Sequence, residues 1–352
     1  GELVGKGETL VNVETDRVRA GVGSPIRGVV AQILQPEGAR VPFGQPVAMV
    51  REPTHTFSTF RDVQIFPQGK FRVGAWMMHP TENLLVGRAT KGSGLSSGMA
   101  AGLLMYRVPE LEHVGTVPIG LNGDYAFSRD GQLLAYAGAR SIRVWDVTSK
   151  QELASLKPPG FSIWVPMRLA FYSRQRLFAS YGDKKVLRWD VGAQTYHYLM
   201  TPNYKSRLAV QADGRMLITA GDHIDLWDSD TGEHVRSLDP EGTQDGTSMA
   251  LSSDGRLAAL GKKDQSVRVW DVEAGEVVQQ LVVARTPHPI SFSPNNELLV
   301  LTGDSWVSAW NLRTREECFS QQIEAPQFAG FTPDGRFLTV VTGNRAILWA
   351  RE

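Results

Sequence analysis

A tryptophan that recurs about every forty residues is the feature that most constrains this chain. The stretch Ser266–Gly275 alternates its side chains, includes Trp270-Asp271 and runs into a glycine-containing turn, as a half-buried strand does. Related stretches recur along most of the chain. The separations are 44, 38, 43, 40 and 39 residues between Trp145, Trp189, Trp227, Trp270, Trp310 and Trp349. This period predicts one small β unit repeated around a common core.

The residues between the tryptophans follow a fixed order. An apolar strand leads to a tight turn such as Asp130-Gly131, Asp254-Gly255 or Asn295-Asn296. These residue types accept positive φ, so the turns are predicted to close hairpins. A second apolar strand, a polar turn, the tryptophan strand and an amphipathic strand follow. Each repeat is therefore predicted to be a four-stranded antiparallel sheet.

The Trp-Asp dipeptides and Asp-Gly turns resemble the tryptophan-aspartate (WD40) repeat family over residues 63–352. The resemblance implies an all-β fold, a β-propeller. Six strands carry the recurring tryptophans, and in Leu103–Tyr106 the tyrosine takes the tryptophan place, so a seven-bladed β-propeller is predicted. The last repeat stops after its tryptophan strand at Trp349, so we expect the isolated stretch Val63–Phe66 to supply the missing strand and close the ring. The family's Gly-His dipeptide is absent from every repeat, so its internal Asp-His-Ser/Thr-Trp hydrogen-bond network is not expected.

Residues 1–51 form a different unit that contains an internal sequence repeat. Val4–Val13 and Val41–Val50 both read V-x-x-G-x-x-(L/V)-x-x-V. A turn glycine placed twice between two strand segments predicts two similar half-sheets packed face to face. Residues 52–62 are polar with two aromatic residues, and we interpret them as a linker to the repeats.

The first unit also resembles the lipoyl/biotinyl carrier domain, which implies a small barrel-sandwich fold. The motifs that carry the resemblance are Lys6–Leu10, Val13–Arg17, Ser24–Val30, Glu37-Gly38 and Val41–Val47. The first strands of the family pattern are missing, so the domain is predicted to be incomplete at its start. The family attaches its cofactor to a lysine after Glu-Thr-Asp, and Arg17 occupies that position here. A guanidinium is not acylated as a lysine amine is, so no cofactor is expected.

Composition argues against several functional classes. Lys+Arg and Asp+Glu are equal at 37 each, so no net charge and no basic run favour nucleic acid. No apolar run reaches the roughly 18 residues of a membrane span. The single cysteine, Cys318, excludes an intramolecular disulfide or a thiolate zinc cluster and is predicted to be a small apolar packing residue. The absence of disulfides favours a cytoplasmic location.

One surface is predicted to bind a partner. In the WD40 family, the turns between second and third strands face the narrow, ligand-binding end of the ring. Cationic and aromatic residues are predicted at this end, in those turns and in the neighbouring loops: Arg140, Trp164, Lys184, Lys185, Tyr204, His223, Lys262, Lys263, Trp306 and Arg345. Cations around aromatic anchors suit an acidic peptide or protein partner. Ordinary solvated turn charge is the alternative interpretation.

No Ser/His/Asp or Cys/His arrangement stands out, and the histidines show no ligand-like pairing. We therefore predict no metal site and no catalytic residues. The predicted function is a non-enzymatic protein–protein interaction scaffold within a larger assembly. Three alternatives stay open: a degenerate carrier-domain accessory subunit of a 2-oxo acid dehydrogenase or biotin-dependent complex, a propeller enzyme with its site at the central channel, and an export-system adaptor.

Overall fold

The protein is described by a computed structural model in residues 3–4, 9–14, 19–24, 28–36, 38–42, 45, 47–51, 57–64, 71–91, 100–117, 124–138, 141–157, 168–181, 185–200, 207–211, 216–220, 224–238, 246–283, 287, 290–343 and 345–351. These residues form strands and turns, with no α-helix among them. The chain divides into two compact units, Gly1–Phe57 with Glu352, and Ser58–Arg351. The all-β prediction is confirmed for this part of the chain.

The first unit contains five short strands. They are β1 (Leu3–Val4), β2 (Thr9–Glu14), β3 (Arg19–Gly23), β4 (Gly28–Ile33) and β5 (Ala48–Arg51). β1, β4 and β5 form one antiparallel sheet in the order β1-β4-β5, and β2 pairs with β3. Arg17, the residue at the family's cofactor position, lies outside the described residues. The barrel-sandwich packing of this unit stays a prediction.

The second unit contains seven four-stranded sheets. Along the chain, β6 (Phe57–Gln64) comes first. The strands of sheet 1 are β7 (Phe71–Met78), β8 (Leu84–Lys91), β9 (Ala100–Arg107) and β10 (Glu112–Val117). Those of sheet 2 are β11 (Tyr125–Phe127), β12 (Leu133–Ala137), β13 (Ile142–Asp146) and β14 (Gln151–Leu156). Those of sheet 3 are β15 (Arg168–Phe171), β16 (Arg176–Tyr181), β17 (Lys185–Asp190) and β18 (Thr195–Met200).

Sheets 4 to 6 repeat the same meander. The strands of sheet 4 are β19 (Arg207–Val210), β20 (Met216–Ala220), β21 (Ile224–Asp228) and β22 (His234–Ser237). Those of sheet 5 are β23 (Gly246–Leu251), β24 (Leu257–Lys262), β25 (Ser266–Asp271) and β26 (Glu276–Val282). Those of sheet 6 are β27 (Ile290–Phe292), β28 (Leu298–Gly303), β29 (Trp306–Asn311) and β30 (Glu316–Gln322). Sheet 7 joins β31 (Pro326–Phe331), β32 (Phe337–Thr342) and β33 (Arg345–Arg351) to β6. The prediction of an all-β propeller built from repeated sheets is confirmed.

The strand that completes sheet 7 begins earlier than predicted. β6 spans Phe57–Gln64, whereas the sequence suggested Val63–Phe66, of which Ile65 and Phe66 lie outside the described residues. The predicted linker therefore overlaps a strand. β6 is the outermost strand of its sheet, and most of its described side chains face solvent. A strand in that position needs few apolar residues, which is why its polar composition was misread.

Apolar side chains fill the spaces between neighbouring sheets. Trp270 and Val272 of sheet 5 pack against Ile224 and Leu238 of sheet 4. Comparable buried clusters join sheets 1 and 2, 2 and 3, 3 and 4, 5 and 6, and 7 and 1. Sheets 6 and 7 meet where the Phe319 ring contacts the ring of Trp349, with centroids 5.2 Å apart. Truncating a buried tryptophan to alanine typically costs about 3–5 kcal/mol, so the recurring tryptophans serve packing.

Polar contacts link the sheets at one end, called here the lower end. It carries the turns between first and second strands and between third and fourth strands. Each sheet has at least one contact there to the next. The contacts, in sheet order from 1–2 to 7–1, are His79 Nε2 to Gly131 O at 3.1 Å, Arg174 Nε to Asp130 Oδ2 at 3.0 Å, Arg188 Nη1 to Ser229 O at 3.1 Å, Arg236 Nη1 to Ala274 O at 3.1 Å, Ser253 Oγ to Pro294 O at 2.8 Å, Arg351 Nη2 to Glu297 Oε2 at 2.9 Å and Asn83 Nδ2 to Asp334 Oδ2 at 2.7 Å.

A hydroxyl–carboxylate pair stabilises several lower-end turns. In the turn of sheet 5, Ser252 Oγ donates to Asp254 Oδ1 at 2.6 Å and accepts from the Leu257 amide at 2.8 Å. Sheets 2 and 7 repeat this arrangement around Asp130 and Asp334. Partial burial alone would raise the pKa of these three carboxyls. The bonds from the hydroxyl and a nearby amide outweigh burial, and the pKa of each lies below its usual value.

The lowered pKa values predict acid sensitivity. A carboxyl whose pKa is depressed in the folded state stabilises the fold above its unfolded pKa of about 3.9, and that contribution is lost as the pH falls through the folded pKa. Asp254→Asn should therefore reduce the fall in the free energy of unfolding between about pH 5 and pH 2. Urea unfolding at several pH values measures it.

Ser252→Ala provides the matched comparison, because it removes the hydroxyl that donates to Asp254. Ser252→Ala should also reduce the fall in the free energy of unfolding at low pH. The double variant Ser252→Ala/Asp254→Asn should show little further reduction. Equal acid dependence in Asp254→Asn and the unsubstituted protein would contradict this account of the turn.

Candidate protein-interaction face

The predicted partner-binding surface is the opposite, upper end of the sheets, where the turns between second and third strands lie. The structure describes five of the residues predicted there: Lys185, Lys262, Lys263, Trp306 and Arg345. Lys185 is the first residue of β17, and its side chain is outside the described part. The other predicted contacts, which lie outside the described residues altogether, are Arg140, Trp164, Lys184, Tyr204 and His223.

Lys262 is not a surface residue, so the prediction that it lies on the exposed partner-binding surface is wrong. Its side chain is only 1% exposed at the end of β24. The Ser266 hydroxyl donates to Asp264 Oδ1 at 2.6 Å and is the main cause of the lowered pKa of Asp264, to which the charge of Lys262 contributes. A buried ammonium is tolerated when a carboxylate lies nearby. Lys262 therefore belongs to the internal structure of its turn.

Lys263 is the exposed cation of the same turn. Lys263, Asp264 and Gln265 are all exposed, and Gln265 adopts a positive φ of 67°. The Gln265 amide donates to Lys262 O at 3.3 Å, and the Val283 amide donates to Gln265 O at 2.8 Å. These bonds hold the backbone while the Lys263 side chain extends to solvent beside an acidic neighbour.

Trp306 is the first residue of β29, directly after the equivalent turn of sheet 6, and is half-buried. Its indole packs directly over Gly303, where a Cβ would lie 2.2 Å from Nε1. Glycine is therefore required there. Among the described residues, Nε1 finds no hydrogen-bond acceptor. The Ala325 amide donates to Asp304 O at 2.8 Å, which fixes this turn to the connection that leads into sheet 7.

Arg345, at the upper end of sheet 7, is already engaged within the chain. Its Nε donates to Asp62 Oδ1 of β6 at 3.1 Å, and its Nη2 binds Asp62 Oδ2. The pair is partly exposed, with side-chain exposures of 56% and 36%, so solvent screening limits its worth to at most about 1 kcal/mol. Arg345 joins the closing strand to sheet 7.

A charged cluster that sequence reasoning missed lies at the upper start of two first strands. The Leu169 amide donates to Asp124 Oδ2 at 2.9 Å, and Arg168 Nη1 lies 3.9 Å from Asp124 Oδ1. Burial raises the pKa of Asp124, and the Leu169 amide with the charges of Arg168 and Arg88 offsets part of that rise. These residues come from three different sheets. No local pattern marks such a contact.

One described cluster superficially resembles a hydrolase triad. Ser237 Oγ donates to Asp225 Oδ1 at 2.5 Å, and His234 Nε2 lies 3.3 Å from both of these oxygens. A triad places the acid and the nucleophile on different ring nitrogens. Here the same nitrogen faces both, and the serine proton is directed to the carboxylate. The cluster therefore does not activate Ser237.

Other chemistry finds little support in the described part of the chain. No three His, Cys, Asp or Glu side chains lie together there as metal ligands would. Burial raises the pKa of Cys318 to about 12, and its Sγ donates to Ala309 O at 3.2 Å, so it is not an activated thiol. A search of the same residues for a helix that could cross a membrane finds none.

Comparison with known families supports the repeat assignment. Residues 232–271 match the family model described as WD domain, G-beta repeat. The chain carries a WD40 repeat. The matched segment runs from the turn before β22 to the end of β25, so the WD40 repeat unit spans the last strand of one sheet and the first three of the next. Residues 1–50 match the model described as Biotin-requiring enzyme.

Individual relatives share a quarter to a third of their residues with this chain over the aligned segments. Protein tipD of Dictyostelium discoideum is 25% identical over 230 residues, which is 60% of this chain and 37% of that protein. Target of rapamycin complex subunit wat1 of Schizosaccharomyces pombe is 31% identical over 110 residues, 30% of this chain and 35% of wat1. Small ribosomal subunit protein RACK1y of Oryza sativa subsp. japonica is 33% identical over 67 residues, 19% of this chain and 20% of RACK1y. The chain thus spans well under half the length of these relatives.

A charge swap tests whether Arg345 serves the fold. Asp62→Arg would place two guanidinium groups together and should lower the free energy of unfolding by about 1 kcal/mol, as should Arg345→Asp. The double variant Asp62→Arg/Arg345→Asp should recover most of this loss. Denaturant unfolding measures the free energy of unfolding of the unsubstituted protein, the two single variants and the double variant. Additive losses in the double variant would show that the two side chains are not coupled.

Proposed function

We propose that the seven sheets are the blades of one closed WD40-type propeller, and that this propeller is a non-enzymatic protein-interaction scaffold within a larger assembly. Its protein partner binds the upper end. The observation that carries the proposal is the arrangement of consecutive upper turns, in which the exposed tip at Lys263 is followed in the next sheet by the half-buried Trp306. A cation in one turn and an aromatic residue at the corresponding turn of the next sheet suit a protein partner with acidic side chains.

Ring closure is supported by contacts between the first and last sheets. Val73 and Leu85 of sheet 1 belong to one buried cluster with Val341 and Leu348 of sheet 7. Within sheet 7, the ring of Phe60 in β6 packs against Phe337, with centroids 5.0 Å apart, and so holds the closing strand to its sheet. Closure removes the open ends that a row of sheets would have. The result is a platform whose turns keep fixed relative positions.

The names of two relatives also favour a role in an assembly. One is a subunit of the target of rapamycin complex, and another is a protein of the small ribosomal subunit. These memberships are stated of the two relatives and not of this chain. Because this chain covers 35% and 20% of them, their partners are not transferred. What we propose for this chain is the general role of a component that holds other proteins.

Photo-cross-linking tests the upper-end site. A photoreactive amino acid at position 263 should cross-link the partner when the full-length protein is expressed in its own cells. The same group at position 256 is the matched control, because Arg256 is exposed in sheet 5 but lies at the lower end. Lys263→Glu should reduce the partner recovered by affinity capture several-fold, since it reverses the cation.

Two outcomes would overturn the assignment of the upper end. One is equal cross-linking from positions 263 and 256. The other is unchanged capture with Lys263→Glu when Arg256→Glu abolishes it, which would move the partner to the lower end.

A second candidate function rests on the match of residues 1–50 to the Biotin-requiring enzyme model. In this alternative, a lipoyl/biotinyl-like domain over residues 1–51 makes the chain an accessory subunit of a 2-oxo acid dehydrogenase or biotin-dependent complex. Arg17 in place of the modified lysine argues against a carrier role. We therefore favour a docking or spacer module, with residues 52–56 connecting it to β6.

Intact mass separates the two functions. After expression with lipoyl and biotin ligases, the full chain should keep its unmodified mass. Lys6 is the only lysine in residues 1–51, so Lys6→Arg is the control for any adduct found. A lipoyl or biotinyl adduct that disappears in Lys6→Arg would favour the carrier alternative.

A further inference from the structure

The outer edges of the sheets differ in how they are protected against pairing with another strand. In each sheet, the fourth strand of the meander, or β6 in sheet 7, is the last in the hydrogen-bonding order. An edge strand offers a row of backbone donors and acceptors to any extended chain. Proteins protect such edges with β-bulges, with charged side chains, or with both.

Bulges interrupt the outer strands of five sheets. In sheets 1, 2, 4, 5 and 6, the pairing register between third and fourth strands shifts by one residue. The shift lies beside the tyrosine or tryptophan of the third strand. The extra residues are Val114, Leu153, Val235, Val278 and Cys318. A bulge bends the strand and breaks the regular edge that an added strand needs.

β18, the outer strand of sheet 3, has no bulge. Its six residues pair one-to-one with β17, from Lys185 opposite Met200 to Asp190 opposite Thr195. β18 is also the one outer strand in the described sheets whose sequence, TYHYLM, contains no Asp, Glu, Lys or Arg. The charged residues in the others include Glu112, Glu152, Arg236, Glu276, Glu316 and Asp62. Both usual protections are therefore missing from β18.

The side chains of β18 form an aromatic face beside this edge. The Tyr196 ring packs on Trp189 with centroids 5.1 Å apart and meets the Tyr198 ring edge-on at 5.4 Å. Tyr198 is 51% exposed. On the opposite face, Leu199 is buried with Phe178 and Trp227. The strand is thus anchored by Tyr196 and Leu199, while Tyr198 is presented to solvent.

We propose that β18 is a strand-addition site, at which an extended segment of a partner protein pairs with the outer edge of sheet 3. Backbone hydrogen bonds supply the affinity in this mode, and alternate side chains supply the specificity. The segment recognised carries β-branched or aromatic side chains at the positions beside Tyr196 and Tyr198, because such cross-strand pairs with aromatic residues are favourable. It carries no run of charge, since β18 offers none to complement it.

The size of the edge favours a peptide segment over a second copy of this chain. Six residues extend roughly 20 Å. A single strand pair between two rigid copies would bury less than the roughly 1,200 Å² of a typical stable interface. A flexible segment can also cover the aromatic face beside the edge. This site lies in sheet 3, whereas Lys263 and Trp306 lie in sheets 5 and 6, so it stands whether or not the upper-end partner is found.

A designed strand peptide tests the proposal on the full chain. The probe is a fluorescein-labelled, end-capped Thr-Val-Thr-Val-Thr-Val-Thr peptide, and fluorescence anisotropy reports its binding. Tyr198→Lys adds a protective charge and removes the aromatic pair, so it should raise the dissociation constant about fivefold or more. Leu153→Lys is the matched control, because Leu153 is 52% exposed on the bulged outer strand of sheet 2. It should leave binding unchanged.

Backbone recognition is tested with an analogue of the probe that is N-methylated at every residue. The analogue keeps the side chains but has no backbone N–H donor, so it should not bind. Hydrogen exchange should show added protection of β18 amides with the unmodified probe. Circular dichroism and urea unfolding establish that the Tyr198→Lys protein is folded.

Each of the following results would overturn the proposal: no binding of the probe at millimolar concentration, equal binding of the methylated analogue, or equal weakening by Leu153→Lys. A dimer that forms with rising concentration and is lost in Tyr198→Lys, seen by sedimentation velocity, would identify a second copy as the occupant instead.

Discussion

In the described part of the chain, contacts made by side chains are the main interactions between the seven sheets. Each four-stranded ladder keeps its strand-to-strand hydrogen bonds within its own sheet, and no ladder in the described residues crosses to the next sheet. Cohesion therefore depends on the apolar clusters between sheets and on the polar contacts of the lower end, such as Asn83 to Asp334 and Arg188 to Ser229. Because a lower-end contact joins every neighbouring pair of sheets, those turns have a structural task throughout the molecule.

The residues that make the repeat recognisable are largely committed to the same task. In sheets 2 to 5, the carboxylate that follows the tryptophan accepts turn amides, as Asp271 does from Ala274 at 2.8 Å and Asp228 from Thr231 at 2.7 Å. Asn311 takes this place in sheet 6 and accepts from Thr314 at 3.0 Å. An amide oxygen thus replaces a carboxylate without loss of the turn. Residues that must serve the fold in every sheet carry little information about a partner, so functional differences have to come from what varies between sheets.

The sequence predicts those parts of the fold that local physics determines. Strand alternation and turn chemistry specify the repeated sheets, and Gly131 and Gly255 have the positive φ that their Asp-Gly turns require. Contacts between distant residues were not predictable in the same way. The burial of Lys262 depends on how its turn folds back, and the approach of Arg168 to Asp124 joins two sheets. The early start of β6 was missed because an outermost strand needs no apolar pattern.

The two proposed sites, at Lys263 in sheet 5 and at β18 in sheet 3, would bind their partners by different physical means. In the site proposed for the upper end, Lys263 would recognise its partner through side-chain charge, which salt screens. At β18, recognition is a matter of backbone geometry, to which salt is nearly indifferent. The bulges on five other outer strands interrupt their edges, so the proposed site at β18 would differ from those edges in its backbone geometry. Because Lys263 belongs to sheet 5 and β18 to sheet 3, one partner does not have to displace another. A ring of similar sheets becomes a scaffold when its members differ in this way.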